Sequence, residues 1–597
     1  MIHLTIFGGG GYIGASLKDY VGQDLARAEA RKGGKYNPTS ERTSWLHFIQ
    51  LRAAEYDPDH IRNGFLCIPT ISVPAPRHPK RAHLPAHLRY PLARHLMPGH
   101  WPGDADDPAV SPFPCHRVTS PCWLYCPNPL PGLLPTTAMR RSFDVLLLFL
   151  LLGARLRINS FAEAGLYQHF ENVARHPWLG GLLSERALAA FGPWFGDPIF
   201  LLLAAVSLLA FLGYALVDFW DRPDEGDGVR WPYLAKRTLL WVILAAVLFV
   251  PTLKLVLLRH DNLPQSYSHD GGVIQTEITI DYLLDGRNPY SESYADTPMA
   301  EWGFPEFRTA LEHYPYLPAT FVLSAPVKLL SGALLGWYDQ RFVYLLLVLL
   351  VLLLLPGLVG RRRGDVLALT MIIGLNPIMG LDVVFGQNDV FVAALVVLSL
   401  WFLQRGRLAW SGIFFGLACA SKPTAWFLAP FWALALLADA PLAWPDLPRR
   451  LPQLLRRAWP ALAAFLLLVL PYLVWDANAF VDDVWRWAAG TSATHYQIWG
   501  WGFANFVLAG GQLPDRFAQW PFWVPELLVG LPLLIFLAAR QMRDNTLANL
   551  CWHGAVLLFA FAFFSRFLNE NYLGFVLALL ALGYYLQPPP SSTQNPA

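Results

Sequence analysis

From about residue 143 to residue 586 the chain is a succession of apolar stretches. Each is close to the roughly 20 residues that a helix rising 1.5 Å per residue needs to cross a bilayer core. They fall at about 143–158, 196–219, 237–258, 342–360, 365–382, 390–404, a pair within 408–438, 459–475, 522–538, 548–565 and 572–586. The fold class this predicts is an all-α polytopic membrane protein with about 12 transmembrane helices. Composition agrees: 54% of the 597 residues are hydrophobic and 15% charged, against roughly 25% charged in soluble domains. A formal net charge of +2 leaves no large basic surface to neutralise phosphates, so no nucleic-acid partner is expected.

The first 138 residues read differently. In MIHLTIFGGGGYIGASL, Gly9, Gly11 and Gly14 have the GxGxxG spacing of a dinucleotide-binding turn. Such a turn needs a second strand ending in Asp or Glu about 20 residues on. Instead the chain continues with ARKGGKYNPTSERTSWLHF and then a run crowded with Pro, His and Arg to about residue 135, which buries too little to offset its ordering entropy. Cys115, Cys122 and Cys126 lie near His116 but lack the paired CxxC spacing of a zinc site. Residues 1–138 are therefore expected to be disordered or absent from the mature protein, whose natural start would be MRRSF at Met139. Residues 139–236 are read as N-terminal transmembrane segments, 237–590 as the working membrane domain and 591–597 as a disordered tail.

Lys and Arg mark one face: Arg140 and Arg141, Lys236 and Arg237, Arg361 to Arg363, Arg405 and Arg407, Arg449, Arg450, Arg456 and Arg457, then Arg540 and Arg543. That face is cytoplasmic if 409–438 forms a hairpin with Ser421, Lys422 and Pro423 at its tip. The opposite face then carries two long loops, 259–341 and 476–521, and the short connections FGQND, SKPT and FLNEN. Ionisable groups beside apolar helices cost at least roughly 2.5–3.5 kcal/mol on insertion scales, which makes them functional candidates.

In SHDGGVIQTEITIDYLLDGRNPY, Asp270 stands at the start of a short amphipathic helix. A carboxylate there stays ionised and suits a general base, or it is simply a helix cap. Gln387, Asn388 and Asp389 precede a continuous apolar span, and three polar groups exceed what a cap requires. Lys422 lies between apolar segments and needs an anionic partner, a role a phosphate would fill. FFSRFLNENY offers Arg566, Asn569, Glu570 and Asn571.

Taken in order, DGGVIQTEITIDYLLDGRNPY, HYPYLP, NP…GQND and GLACASKPTAWFLAP resemble the GT-C superfamily of polytopic glycosyltransferases, most of all the bacterial relatives of GPI mannosyltransferases. The similarity covers about residues 237–590, with the two spans before it an addition to the family pattern. It implies a GT-C-like bundle whose exoplasmic loops carry short helices, in a multi-pass cell-membrane protein such as those of the bacterial inner membrane. The implied reaction is inverting transfer of a hexose, with mannose the expectation, from a polyprenyl-phosphate donor to a lipid or glycan acceptor hydroxyl on the exoplasmic face. Asp270 takes the place of the family's base, with Asp281 in reserve. Lys422, Arg341 and Arg566 are the cations for the departing phosphate. Gln387, Asn388, Asp389, Tyr290, Asn569 and Glu570 are substrate-binding candidates, as are His495 and Trp499 of THYQIWGWGF, where Trp501 is a further sugar platform. No cofactor is implied, and a divalent metal is left open: no HExxH or DxD motif occurs after Met139, and Lys and Arg alone can handle a lipid-phosphate leaving group. The alternatives are a multi-pass transporter, which should repeat its broken helices where no second GQND or SKPT occurs, and a lipid-linked oligosaccharide ligase or polymerase.

The arginine distribution makes a topological prediction. In a background without native cysteines, Ser291→Cys and Ala518→Cys should react with an impermeant thiol reagent on intact cells, while Asp446→Cys should react only after permeabilisation. The reverse pattern would put the candidate site in the wrong compartment.

Overall fold

A computed structural model describes residues 142–166, 168–195, 197–221, 231–262, 265–301, 305–359 and 363–586. The readings made for residues 1–138 and 591–597 lie outside the described residues. The helices are α1 (Phe143–Ala164), α2 (His169–Arg175), α3 (Glu185–Phe195), α4 (Pro198–Val217), α5 (Trp231–Leu244), α6 (Val250–Asn262), α7 (Thr276–Leu284), α8 (Ala319–Leu335), α9 (Arg341–Val359), α10 (Arg363–Gly374), α11 (Met379–Phe385) and α12 (Asp389–Gln404). They continue as α13 (Leu408–Cys419), α14 (Ala429–Ala435), α15 (Leu447–Trp475), α16 (Ala477–Val481), α17 (Trp487–Ala489), α18 (Ala504–Ala509), α19 (Trp523–Arg543), α20 (Leu547–Phe564) and α21 (Glu570–Tyr585). Two two-residue strands, β1 (Trp499–Gly500) and β2 (Phe567–Leu568), pair in parallel.

Among the described residues seven helices are long and apolar enough to cross a membrane, or eight if α10 and α11, bent by 48° at their break, count as one. The sequence expectation of about 12 differs because several apolar stretches fold as shorter helices. α12, α13, α14 and α21 have 16, 12, 7 and 16 residues. The stretch 409–438 is a hairpin: α13 rises, turns at 420–422 and returns through a 3-10 segment, Pro423–Leu428, into α14. α5 and α6 form one span joined by a π turn at Ala245–Phe249.

Buried charge fixes the N-terminal spans. Lys236 Nζ lies 3.2 Å from Asp144, 2.7 Å from Asp218 and 2.7 Å from Asp221, which joins the start of α1, the end of α4 and the start of α5. Lys254 Nζ lies 2.8 Å from Glu163 and 2.5 Å from Asp197, which joins the opposite ends of the same helices. Asp197 also caps α4, accepting from the Phe200 amide at 2.9 Å. The two lysines stand 18 positions apart on one span, about 27 Å at 1.5 Å per residue, near the roughly 30 Å of a hydrocarbon core. Both ends of the three-helix unit are thus closed by ion pairs, and the charges between them on α1 are Arg155, which is buried, and Arg157, which is exposed beside the Phe161 ring.

Removing one partner of a buried pair leaves an uncompensated charge. Lys254→Met should cost about 3–5 kcal/mol of stability, read as earlier thermal unfolding of the purified protein, with part of the loss restored by adding Glu163→Gln. Leu209→Ala on the exposed face of α4 should leave unfolding unchanged.

Candidate active site

The first long loop folds back onto the end of α11. His269 donates its amide to Phe385 O at 2.7 Å, and Gly272 packs so tightly that a Cβ there would overlap Gly386 O and come within 2.9 Å of Gln387 Cα. The paired glycines of DGG therefore let one backbone lie against another. Asp270 opens a π turn, Asp270–Gln275, ahead of α7. The capping position belongs to His269, whose Nδ1 lies 3.2 Å from the Gly272 amide and 2.8 Å from Asp270 Oδ1. The ring nitrogen accepts from the amide in one tautomer and donates to the carboxylate in the other. Asp270 thus keeps its second carboxylate oxygen for other partners.

The three short connections meet in one ion-paired cluster. Lys422 Nζ donates to Asp389 Oδ1 at 2.8 Å and to Asn388 Oδ1 at 3.1 Å, and Asn571 Nδ2 donates to Asp389 Oδ2 at 2.5 Å. Tyr316 and Tyr572 place their rings 5.8 and 5.4 Å from the ammonium, within cation–π range. The HYPYLP segment joins through its backbone: Leu317 and Ala319 donate to Ser421 O and Ala420 O at 3.2 and 2.9 Å.

Above this cluster lies a cavity of about 820 Å³. Asp270, Gln387, Asn388, Lys422, Arg566 and Asn569 all line it, so the sequence candidates from four separate segments share one space. Asp389 and Glu570 stand behind that lining rather than in it. Asp281 does not reach the cavity: its carboxylate is 56% exposed and pairs with Lys328 at 2.6 Å. Arg341 is fully buried and spent on Asp339, at 2.8 and 2.7 Å, and on Tyr267 O and Val384 O at 2.7 and 3.1 Å. Its partner sits two residues earlier in the chain, a local signal readable in the sequence. Tyr290 is a packing residue, ringed by Tyr314, Phe321, Tyr472 and Phe480, with its hydroxyl donated to Tyr316 O at 2.8 Å.

The second long loop makes the opposite wall. His313 Nδ1 lies 2.7 Å from Asp483 Oδ1, and the Tyr314 amide donates to Asp483 Oδ2 at 2.8 Å. Burial pushes the Asp483 carboxyl up to about 6 even though both contacts pull it down. His495 packs between Ser492 O and Phe517 O, and Trp499 lies in β1, so neither lines the cavity, nor does Trp501. The aromatic lining comes instead from Trp485, Trp487, Trp520 and Trp523. A π turn, Asp482–Arg486, carries Trp485 and leads into α17, which starts at Trp487, and no periodicity in the sequence announces it.

Arg566 has a different electrostatic standing from Lys422. Its Nε, Nη1 and Nη2 donate to Tyr496 O, Ala518 O and Arg516 O at 2.6, 3.0 and 3.3 Å, all uncharged acceptors. Burial lowers it to about 10, still cationic at neutral pH. Two of its five N–H groups remain for a ligand. Among the described residues two acid–histidine groups have the arrangement of metal ligands, Glu163–His169–Asp197 and His313–Asp482–Asp483. Neither lines the cavity, and in the first the Lys254 ammonium already serves as counter-ion.

Four polar atoms of lining residues, themselves turned away from the open cavity, have no protein partner: Gln387 Oε1, Thr424 Oγ1, Trp487 Nε1 and Asn569 Oδ1. Buried polar groups are rarely left so, and this set mixes acceptors, a donor and a hydroxyl that is both.

No curated protein and no solved structure matches the chain. Residues 281–438 match the family model for the alpha-(1->6)-mannopyranosyltransferase N-terminal domain. That segment runs from within α7 to the end of the 409–438 hairpin and contributes Gln387, Asn388, Asp389 and Lys422 to the site. The match likens about a quarter of this helical chain to a mannosyltransferase family domain.

Proposed function

We propose that the chain transfers mannose from a polyprenyl-phosphate donor to an acceptor hydroxyl on the exoplasmic face, with inversion at the anomeric carbon. The observation that carries this reading is the convergence of Asp270, Asn388, Lys422, Arg566 and four tryptophans on one cavity. Sugar hydroxyls both donate and accept, so a hexose in the cavity can pair with the acid, amide and cationic side chains of its lining together. The tryptophans beside them offer flat apolar faces for the C–H surface of a pyranose.

Asp270 removes the proton from the acceptor hydroxyl as that oxygen attacks the anomeric carbon and the carbon–oxygen bond to the lipid phosphate breaks. His269 holds one carboxylate oxygen, so the other faces the incoming proton. The electron pair of the broken bond departs on the phosphate, where Arg566, the cation of the lining whose hydrogen bonds go only to carbonyls, stabilises it. Lys422, neutralised by Asp389, has one N–H left and orients the sugar or its bridging oxygen. The apolar flank of the cavity, Phe427, Leu558 and Phe561, adjoins lipid-facing α19 and suits the first isoprenoid units. The lipid or glycan acceptor and a bacterial inner membrane belong to the same proposal.

Asp270→Asn should lower turnover by roughly 100-fold to 10,000-fold with little change in donor affinity. Arg566→Met should chiefly weaken donor binding, and Lys422→Met both. Asp281→Asn should have no effect. The assay is transfer of labelled mannose from polyprenyl-phosphate mannose by purified, monodisperse protein, paired with mass spectrometry of envelope glycans from cells with and without the gene. Full activity in Asp270→Asn with loss in Asp281→Asn would move the base to Asp281. No turnover of that donor by the unaltered protein would overturn the reading.

A further inference from the structure

An arginine in the middle of a membrane span must have a reason, because even the mildest scale charges roughly 2.5–3.5 kcal/mol for it. Arg155 is midway along α1, outside the matched family segment, and fully buried. Its Nη1 donates to Asn376 O at 3.3 Å and its Nη2 lies 3.5 Å from Val247 O. Val247 lies in a π turn and Asn376 in the gap between α10 and α11, where regular helical pairing is interrupted. Gly380, in the first turn of α11, lets the guanidinium lie flat against the backbone; a Cβ there would overlap Arg155 Nη1 and come within 2.9 Å of Cζ.

The other side of α11 faces the candidate site. Asp382 is buried, its Oδ2 has no partner, and it interacts electrostatically with Arg155, Lys422, Asp389 and Glu570. Its carbonyl accepts from the Gly386 and Gln387 amides at 2.5 and 2.7 Å. The peptide that presents Gln387 and Asn388 to the cavity, with Asp389 behind them, therefore hangs from the turn of α11 that Arg155 supports. From this we infer that Arg155 is a positioning residue for the polar wall of the active site. The N-terminal spans then serve the chemistry by holding the break between α10 and α11 open at a fixed angle. This inference rests on the site described above, and it stands whichever sugar that site accepts.

The contact with Gly380 gives a test that does not depend on turnover. In detergent-solubilised full-length protein, the reactivity of Lys422 toward an acetylating N-hydroxysuccinimide ester, quantified by peptide mass spectrometry, reports whether its partners Asn388 and Asp389 stay in register. Gly380→Ala should raise Lys422 labelling several-fold, and Arg155→Ala combined with Gly380→Ala should reverse part of that rise, because the atom the new methyl strikes is gone. Arg155→Lys, which keeps charge but loses the fork, should fall between wild type and Arg155→Met. Mannosyl transfer should decline in the same order, towards roughly 100-fold for a displacement near 1 Å, while Leu209→Ala stays at wild type in both measurements. Unchanged Lys422 labelling in Gly380→Ala and Arg155→Lys, or strictly additive effects of the two sites, would overturn the inference. If labelling responds as described while the wild-type protein transfers no mannose, the positioning role holds and the mannosyltransferase reading is what fails.

Discussion

The Lys422–Asp389 ion pair is the constraint on which the site depends. Asp389 is wholly buried at the first turn of α12, where an unpaired carboxylate would be several kcal/mol too costly to remain ionised. It uses both oxygens, one on Lys422 and one on Asn571. The tip of the 409–438 hairpin, the start of α12 and the start of α21 are thereby fixed to one another, although they are separated by as many as 182 residues. Pairing also sorts the cations by function. Arg341 is fully compensated by Asp339, Lys422 is neutralised, and Arg566 alone among the predicted phosphate ligands meets only carbonyls. A neutral polar wall suits hydroxyl groups, while net positive charge suits a phosphate.

Much of this was legible because ionisable residues beside lipid are expensive. Gln387, Asn388, Asp389, Lys422 and Asn569 stand out against apolar neighbours, and the membrane-side argument alone groups them. Asp270 stands out less by cost than by its place in the DGG stretch. What the sequence could not disclose was direction. Asp281 and Asp270 are both plausible carboxylates of one loop, but α7 carries Asp281 outward to Lys328 while the π turn keeps Asp270 against the cavity. Trp499 and Trp485 differ in the same way, since an irregular loop offers no period from which to read the face of a side chain.

Span number was less legible than span position, for a related reason. The apolar stretch 365–382 reads as continuous, yet Asn376 and Pro377 divide it. A residue before proline is pushed out of the helical region, and Asn376 then turns its side chain to cap α11, with Oδ1 accepting from the Ile378 and Met379 amides at 3.1 and 3.0 Å. Its Nδ2 donates to Gly574 O in α21 at 2.8 Å. The break is a junction, and its polar groups explain why a helix that could have crossed the membrane straight bends by 48°.

The two walls of the cavity are held with unequal firmness, which under the proposed function sets how a lipid-linked substrate enters. On the α12 side, ion pairs and backbone contacts join four segments. On the other side the loop 476–521 is fastened at its start by His313 to Asp483, near its middle by Arg566, and through β1 to β2. Between that loop and α20 runs α19, the candidate span least covered by the rest of the protein. A lipid chain needs an open apolar flank, and the sugar it carries needs the fixed polar one. Under the proposed function the donor head therefore passes from the α19 side, past Arg566, towards Asp270, and its phosphate comes to rest at the cation while the anomeric carbon points at the base.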